Sequence, residues 1–133
     1  MSYHTYSFEN LEVYKLARSL RVEIRTLTKD YPREERYELT NQLRRAADRI
    51  STNIAEGSGR ASNFDQAHFT NISFASALEV IDHLNASLDL AYISKETYKL
   101  MRIKMDEVIN KLNSLYKFQI RNVGTLKTKV KGG

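Results

Sequence analysis

Hydrophobic positions recur at three- and four-residue steps along most of the chain, which is the spacing of one face of an α-helix. The stretches with this spacing predict four helices, at residues about 8–30, 33–56, 63–92 and 95–121. No alternation of polar and apolar residues typical of strands competes with this pattern. The fold class is therefore predicted to be all-α: an antiparallel up-down four-helix bundle at residues 1–122, followed by a flexible basic tail at residues 123–133.

Residues that favour helix ends support these boundaries. Ser7 is predicted to be the N-cap of the first helix, and Pro32 is expected in the first turn of the second. Gly57 is expected in the left-handed conformation that ends the second helix. Ser62 and Ser94 are predicted to cap the third and fourth helices.

Apolar side chains outnumber the positions that a narrow helix seam would need. The predicted buried face of the third helix comprises Phe64, Ala67, Ala75, Leu78, Ile81, Leu88 and Ala91, with Phe74 and Leu84 alongside. Other apolar residues lie off the main helix faces: Tyr14, Phe69, Ile72, Leu100 and Ile103. Extra apolar surface of this kind is typical of contacts between subunits, so we expect a homo-oligomer.

Composition narrows the class of protein. With 41% hydrophobic and 28% charged residues, a chain of 133 residues is expected to fold as one globular domain. It contains no cysteine, which excludes disulfides and thiolate chemistry. We see neither the pattern of a signal peptide nor an apolar run long enough for a membrane span. A cytoplasmic location without membrane association is the expectation.

Charge is distributed unevenly along the chain. The net charge is +5, and residues 117–133 carry five bases and no acid, whereas outside that segment bases and acids are equal in number. Residues 61–94 contain four acids and no Lys or Arg. This asymmetry predicts a basic side that attracts anions and an acidic third helix that orients packing.

Three motifs in the middle of the chain carry a family resemblance. Residues 31–37 (YPREERY), 42–47 (QLRRAA) and 53–60 (NIAEGSGR) resemble the four-helix bundle proteins named for intervening sequences in bacterial 23S ribosomal RNA genes, also called the S23 ribosomal protein family. The chain is also similar to the accessory variability determinant proteins of diversity-generating retroelements. The resemblance extends over roughly residues 8–120. It departs at Thr52, where the family usually has proline, and near Ala75, where it usually has a Gly-Ser pair.

The resemblance implies an assembly and partners, not a reaction. It implies a homopentameric ring whose basic surface holds RNA or DNA. A reverse transcriptase or another protein is the further partner that it suggests. It implies no enzymatic activity and no cofactor.

Basic residues are the candidate nucleic-acid contacts, because the arginine fork matches phosphate oxygens. The candidates are Arg44, Arg45, Arg49 and Arg60 in the body, and Lys127, Lys129 and Lys131 in the tail. The alternative is structural: Arg45 would pair with Asp48 or Glu79, and Arg49 would pair across a subunit interface. Likewise, the tail lysines could serve only solubility.

A second group of polar residues is predicted to have structural roles. Asn53 and Glu56 share a helix face beside Gly57, and we expect them to fix the turn between the second and third helices. Glu79 and His83 are spaced for an ion pair within one helix. A catalytic carboxylate or a metal site would need partners that the sequence does not place nearby, so neither is predicted.

Two hypotheses about function remain open at this point. The first is a non-enzymatic accessory protein that binds nucleic acid through its Arg and Lys clusters. The second is a protein–protein interaction scaffold, favoured by the acidic third helix and the extra apolar residues.

Overall fold

Four α-helices account for most of the computed structural model, which describes residues 1–121. They are α1 (Glu12–Thr28), α2 (Leu39–Ser58), α3 (Asn63–Asp89) and α4 (Lys95–Arg121), with short 3-10 helices at Ser7–Asn10 and Arg33–Glu35. This part of the chain contains no strand, so the all-α prediction is confirmed. The predicted tail, with Lys127, Lys129 and Lys131, lies outside the described residues.

Each helix packs antiparallel against the next, and α4 returns to α1. Cross-helix pairs show the directions. Arg25 and Thr28 of α1 meet Asp48 and Arg44 of α2, so residue numbers rise along α1 as they fall along α2. Glu12 and Glu23 of α1 meet Lys111 and Lys104 of α4 in the same inverted order. The centre of the bundle is apolar, and its largest fully buried side chains include Leu20, Ile24, Leu43, Ile50, Leu84, Met105 and Leu112. The architecture is therefore an up-down four-helix bundle with one core.

The first two helices begin later than the sequence predicted. Ser7 does not cap α1, because residues 7–10 form a 3-10 turn whose Tyr6 N–H donates to Glu9 Oε1 at 2.9 Å. Pro32 precedes a second 3-10 turn, and α2 starts only at Leu39. No residue of Arg33–Glu35 is buried, so that segment has no apolar side to pack as a helix before Leu39.

The buried face of α3 differs from the predicted one by part of a turn. Phe64 and Leu78 are 63% and 49% exposed, whereas the face that packs inward is rich in small and polar residues: Ala67, Thr70, Ser73, Ser76, Ala77, Val80, Leu84 and Ser87. The hydroxyls of Thr70, Ser73 and Ser87 find acceptors inside the bundle. Ser73 Oγ, for example, donates to the main-chain oxygen of Ile50 at 2.9 Å. Small side chains let α2 and α3 approach closely, and satisfied hydroxyls can be buried at little cost.

Gly57 has a packing role and not the predicted capping role. It is a buried residue inside α2, and a Cβ built on it would lie 2.7 Å from Phe69 Cβ of α3. The helix continues to Ser58. Glycine is used here because the two helices leave no room for a side chain.

The caps predicted for α3 and α4 are confirmed. Ser62 Oγ accepts from the Asp65 N–H and Ser94 Oγ accepts from the Thr97 N–H, both at 3.1 Å. α3 ends at Asp89, three residues before the predicted end, and Ala91 follows with a φ of 60°. Within residues 1–121, no helix has the length and apolar character needed to cross a membrane.

Candidate nucleic-acid interface

The outward side of α2 carries three of the four candidate arginines. Arg45 is exposed and forms no ion pair with residues 1–121. Arg44 lies about 100° around the helix, on the flank that faces α1, and Arg49 lies on the flank that faces α3. We call Arg44, Arg45, Arg49 and Arg60 the arginine row. Its first three members therefore spread over about 140° of the helix, with the exposed Arg45 between the two flanks.

Arg49 is held by an ion pair within its own chain. Its Nη1 lies 3.0 Å from Glu79 Oε1, with the two side chains 44% and 38% exposed. The other oxygen of Glu79 lies 3.3 Å from His83 Nε2, so the predicted Glu79–His83 pair is present. The predicted pairing of Arg45 with Asp48 or Glu79 is wrong, because Arg25 occupies Asp48 and Arg49 occupies Glu79.

Arg60 lies at the far end of α2 from Arg44. Sixteen residues at the helical rise of about 1.5 Å separate them by roughly 24 Å along the axis. The Arg60 guanidinium stacks over the Phe69 ring, 4.4 Å from its centroid. The arginine row is consequently an extended strip and not a compact pocket.

The turn between α2 and α3 is not fixed by the residues predicted for it. The Asn53 amide donates to the Arg49 main-chain oxygen at 2.8 Å, inside α2. Glu56 is exposed and contributes its main-chain oxygen, which accepts from the Gly59 N–H at 3.1 Å. The side-chain bonds across the turn come from Gln66, whose amide donates to the main-chain oxygens of Ser58 and Arg60 at 3.5 and 3.4 Å.

A basic cleft lies beside Arg44, at the junction between the end of α1 and the start of α2. Lys29, Arg33 and Arg36 join Arg44 in lining it, and no acidic side chain does so. None of these four residues forms an ion pair with a described residue. We call this feature the basic cleft.

Sequence reasoning missed three members of the basic cleft. Asp30, Glu34, Glu35 and Glu38 alternate with the bases in this stretch, so its local charge looks balanced. The signal would have been the irregular segment after Pro32, since only a bend there can fold residues 29–36 back toward Arg44. The Glu35 carboxylate is engaged elsewhere, because it accepts from the Tyr92 hydroxyl at 2.8 Å.

Two hydroxyl groups shape the basic cleft. Buried Thr28 accepts a hydrogen bond from Arg44 Nε at 2.8 Å and donates its own proton to the Ile24 main-chain oxygen at 2.8 Å. That bond fixes the guanidinium and leaves its two terminal nitrogens for other acceptors. Thr40 also lines the cleft, and its buried Oγ1 has no hydrogen-bond partner among the described residues.

Three pKa shifts lie near this surface. The hydrogen bond to Asp48 raises the pKa of Arg25, an effect that partial burial opposes. Burial raises the pKa of Tyr31, which the nearby Ser87 hydroxyl partly offsets. The hydrogen bond to Glu35 raises the pKa of Tyr92. All three groups therefore keep their ordinary neutral-pH charge, and none is tuned for proton transfer near pH 7.

Residues 1–121 contain no group of three or more His, Asp or Glu side chains that could hold a metal ion. What the surface presents is therefore cationic and hydroxyl donors. Such donors bind anions through charge-assisted hydrogen bonds.

Comparisons of sequence and fold relate this chain to known proteins. The sequence profile of the 23S rRNA-intervening sequence proteins matches residues 9–114, which include α1, α2 and α3 in full, most of α4 and the whole arginine row. The chain belongs to this family. None of the curated proteins matches it.

A solved structure of similar fold extends the comparison. It is the crystal structure, at 1.70 Å resolution, of a protein of unknown function from the S23 ribosomal protein family of Bacteroides thetaiotaomicron. The sequences are 25% identical, and the match covers 79% of this chain and 95% of that one, with a TM-score of 0.73. The 23S rRNA-intervening sequence family assignment therefore rests on both sequence and fold.

Proposed function

We propose that this protein is a non-enzymatic, homo-oligomeric accessory protein that binds RNA or DNA through the arginine row. The observation that carries the proposal is the exposed Arg45, without an ion pair in residues 1–121, between two further arginines on α2. Arginine contacts to phosphate are independent of sequence, so we expect strong salt dependence and weak base selectivity. The tail lysines Lys127, Lys129 and Lys131 are proposed to add further phosphate contacts.

Assembly would multiply these contacts. A homopentameric ring would repeat the arginine row five times, and linked sites gain affinity through their effective concentration. A reverse transcriptase remains a proposed partner on the grounds of family resemblance alone. A cytoplasmic location is proposed from the cysteine-free sequence.

The first test measures mass and RNA binding together. Size exclusion with light scattering, at low and at moderate salt, with and without a short single-stranded RNA, gives both the subunit number and the RNA-bound mass. We expect an oligomer that gains mass with RNA at low salt and loses it as salt rises. An oligomer indifferent to RNA would contradict the proposed function.

The arginine row is tested with charge-matched variants. Arg45→Gln/Arg49→Gln removes two charges from the row, and Lys95→Gln/Lys99→Gln removes two exposed charges from α4 as a control. Each lost phosphate contact lowers the log–log salt slope by about 0.7 for single strands. We expect the arginine variant to reduce the magnitude of this negative slope by roughly 1.4 and the lysine variant to change it little. Equal effects would mean that only net charge matters.

A second candidate function is a protein–protein interaction scaffold. It is favoured by large apolar side chains that are exposed on α3 and α4, among them Phe64, Leu78, Leu100 and Ile103. A stable oligomer without nucleic-acid affinity at moderate salt would support this candidate over the first.

A further inference from the structure

The basic cleft is small and concave. Its volume is about 280 Å³. This is just below the range of roughly 300–1,000 Å³ that is typical of pockets for drug-sized ligands. A compact charged group fits such a space. Four cations without an acid in the lining indicate that the group is an anion with more than one negative charge.

One donor of the basic cleft, Arg44, is positioned before any ligand arrives. Thr28 holds Arg44 through Nε, so the planar fork of terminal nitrogens is pre-oriented. A ligand bound there needs little side-chain ordering, which lowers the entropy cost of binding.

Thr40 supplies an independent indication of a ligand. The side chain is only 6% exposed, and its Oγ1 lacks a hydrogen-bond partner among residues 1–121. Buried hydroxyls are normally satisfied, so this hydroxyl, in a residue that lines the cleft, is a donor that rotation of the side chain would offer to a bound acceptor. Thr40 lies in the first turn of α2, and no side-chain hydrogen bond caps that turn. An uncapped helix N-terminus adds partial positive charge.

We propose that the basic cleft binds a terminal phosphate group, carried either by a small phosphorylated molecule or by the end of a nucleic-acid strand. A terminal phosphate has a charge of roughly −1.5 to −2 at neutral pH and three acceptor oxygens. Those oxygens match the Arg44 fork, the other cleft cations and the Thr40 hydroxyl. An internal phosphodiester has one negative charge and continues as chain on both sides, which suits the open arginine row better than a cleft.

This inference goes beyond the proposed function, because the cleft can bind a terminal phosphate whether or not the arginine row binds internal phosphodiesters. Arg44 belongs to both the arginine row and the basic cleft, whereas Arg45 belongs to the row alone, so comparing these two residues separates the sites. The two residues are adjacent in sequence and carry the same charge, but only Arg44 lines the cleft.

Calorimetric titration of the full chain with inorganic pyrophosphate, in about 0.1 M chloride to screen long-range attraction, tests the cleft. We expect Arg44→Gln to weaken binding at least about tenfold, since a charge-assisted pair is lost. Arg45→Gln should change it by less than about twofold, because it removes only a screened distant charge. Equal weakening in both variants, or no binding by the native chain at millimolar pyrophosphate, would overturn the proposal.

Thr40→Val separates a binding role from a structural one. Valine keeps the shape and removes a buried hydroxyl that has no partner, so the thermal midpoint should stay level or rise. Pyrophosphate affinity should nevertheless fall, by at least about fivefold. Unchanged affinity in this variant would count against the assignment. Arg36→Gln provides a further cleft variant if Arg44→Gln fails to fold.

The source of the phosphate is resolved with a pair of oligonucleotides of one sequence, ending in a 5′-phosphate or a 5′-hydroxyl. Tighter binding of the phosphorylated strand, lost in Arg44→Gln, would assign the cleft to nucleic-acid ends. Equal binding of both strands, with pyrophosphate binding retained, would assign it to a small phosphorylated molecule. Failure of the hydroxyl strand to bind would sink the proposed function and leave the cleft standing.

Discussion

Gly57 shows how much one missing side chain contributes to the contact between α2 and α3. A Cβ at this position would lie 2.7 Å from Phe69 Cβ, closer than such atoms approach in proteins. We expect Gly57→Ala to lower the free energy of unfolding by about 1–3 kcal/mol, because the helices must shift apart. Urea denaturation followed by circular dichroism measures the change.

Gly59 is the matched control for Gly57. A Cβ there would meet its nearest atom, the Glu56 main-chain oxygen, at 3.5 Å, and its φ of −84° suits any residue. Gly59→Ala should therefore leave stability level or raise it by about 0.4–1 kcal/mol. If Gly57→Ala proved as stable as Gly59→Ala, the close contact would not exist.

Ala91 occupies a position that favours glycine. After α3 ends, its N–H donates to the Leu88 main-chain oxygen and the Tyr92 N–H donates to that of Ser87, both at 2.9 Å. This is the Schellman pattern, with alanine at a φ of 60°. The left-handed conformation costs alanine about 1–2 kcal/mol, and glycine removes this cost. Glycine also raises the conformational entropy of the unfolded chain, which offsets part of the gain, so Ala91→Gly should raise the free energy of unfolding by about 0.5–1 kcal/mol.

The control for Ala91 is Ala75, an exposed alanine in the interior of α3. Ala75→Gly should destabilise by about 1 kcal/mol, since glycine weakens a helix interior. Thermal unfolding of both variants gives opposite shifts if the end of α3 is as described. Shifts of the same sign would contradict the left-handed assignment of Ala91.

At the scale of elements, α3 and α4 are joined by a buried polar contact. Thr70 Oγ1 lies 2.7 Å from Gln119 Oε1, with the two residues 2% and 9% exposed. Thr70→Val would leave the Gln119 amide with a lost partner and should cost about 1–3 kcal/mol. Thr70→Val/Gln119→Leu should recover much of that loss, giving a coupling of at least about 0.5 kcal/mol in a double-mutant cycle. Strict additivity in urea denaturation would show that the contact is absent.

Helix existence and helix face were not equally predictable. Ser62 and Ser94 cap α3 and α4 as predicted, because a cap depends on neighbours within one turn. The buried face of α3 was predicted wrongly, because its inward hydroxyls look like surface residues in sequence. Ser73 becomes a core residue only when the Ile50 main-chain oxygen is there to accept its proton.

The candidate site was predictable in part for a similar reason. The arginine row follows from residue type and spacing, whereas the partners of its members do not. Arg49 pairs with Glu79, thirty residues away, and Arg44 is held by Thr28, sixteen residues away. Lys29, Arg33 and Arg36 were missed because their acidic neighbours in sequence do not line the cleft that they share.

At the scale of the whole molecule, exposed apolar residues on α4 predict where copies meet. Leu100 and Ile103 are 69% and 57% exposed, and we expect another subunit to cover them. Leu100→Ser/Ile103→Ser should reduce the oligomer mass seen by light scattering at micromolar concentration, with the helix content unchanged. Val22→Ser, at a 64% exposed position on α1, is the control. An unchanged mass in the α4 variant would place the contact elsewhere.

The sequence by itself determined the number of helices, two of their caps and the family, because helical periodicity, capping and motif are properties of nearby residues. Tertiary structure decided which face of α3 is buried, that position 57 must be glycine, and that four cations line the basic cleft. Those features depend on residues brought together from distant parts of the chain. The physical reason is that burial and electrostatic environment are set by all neighbours in space, and the order of residues specifies only the neighbours along the chain.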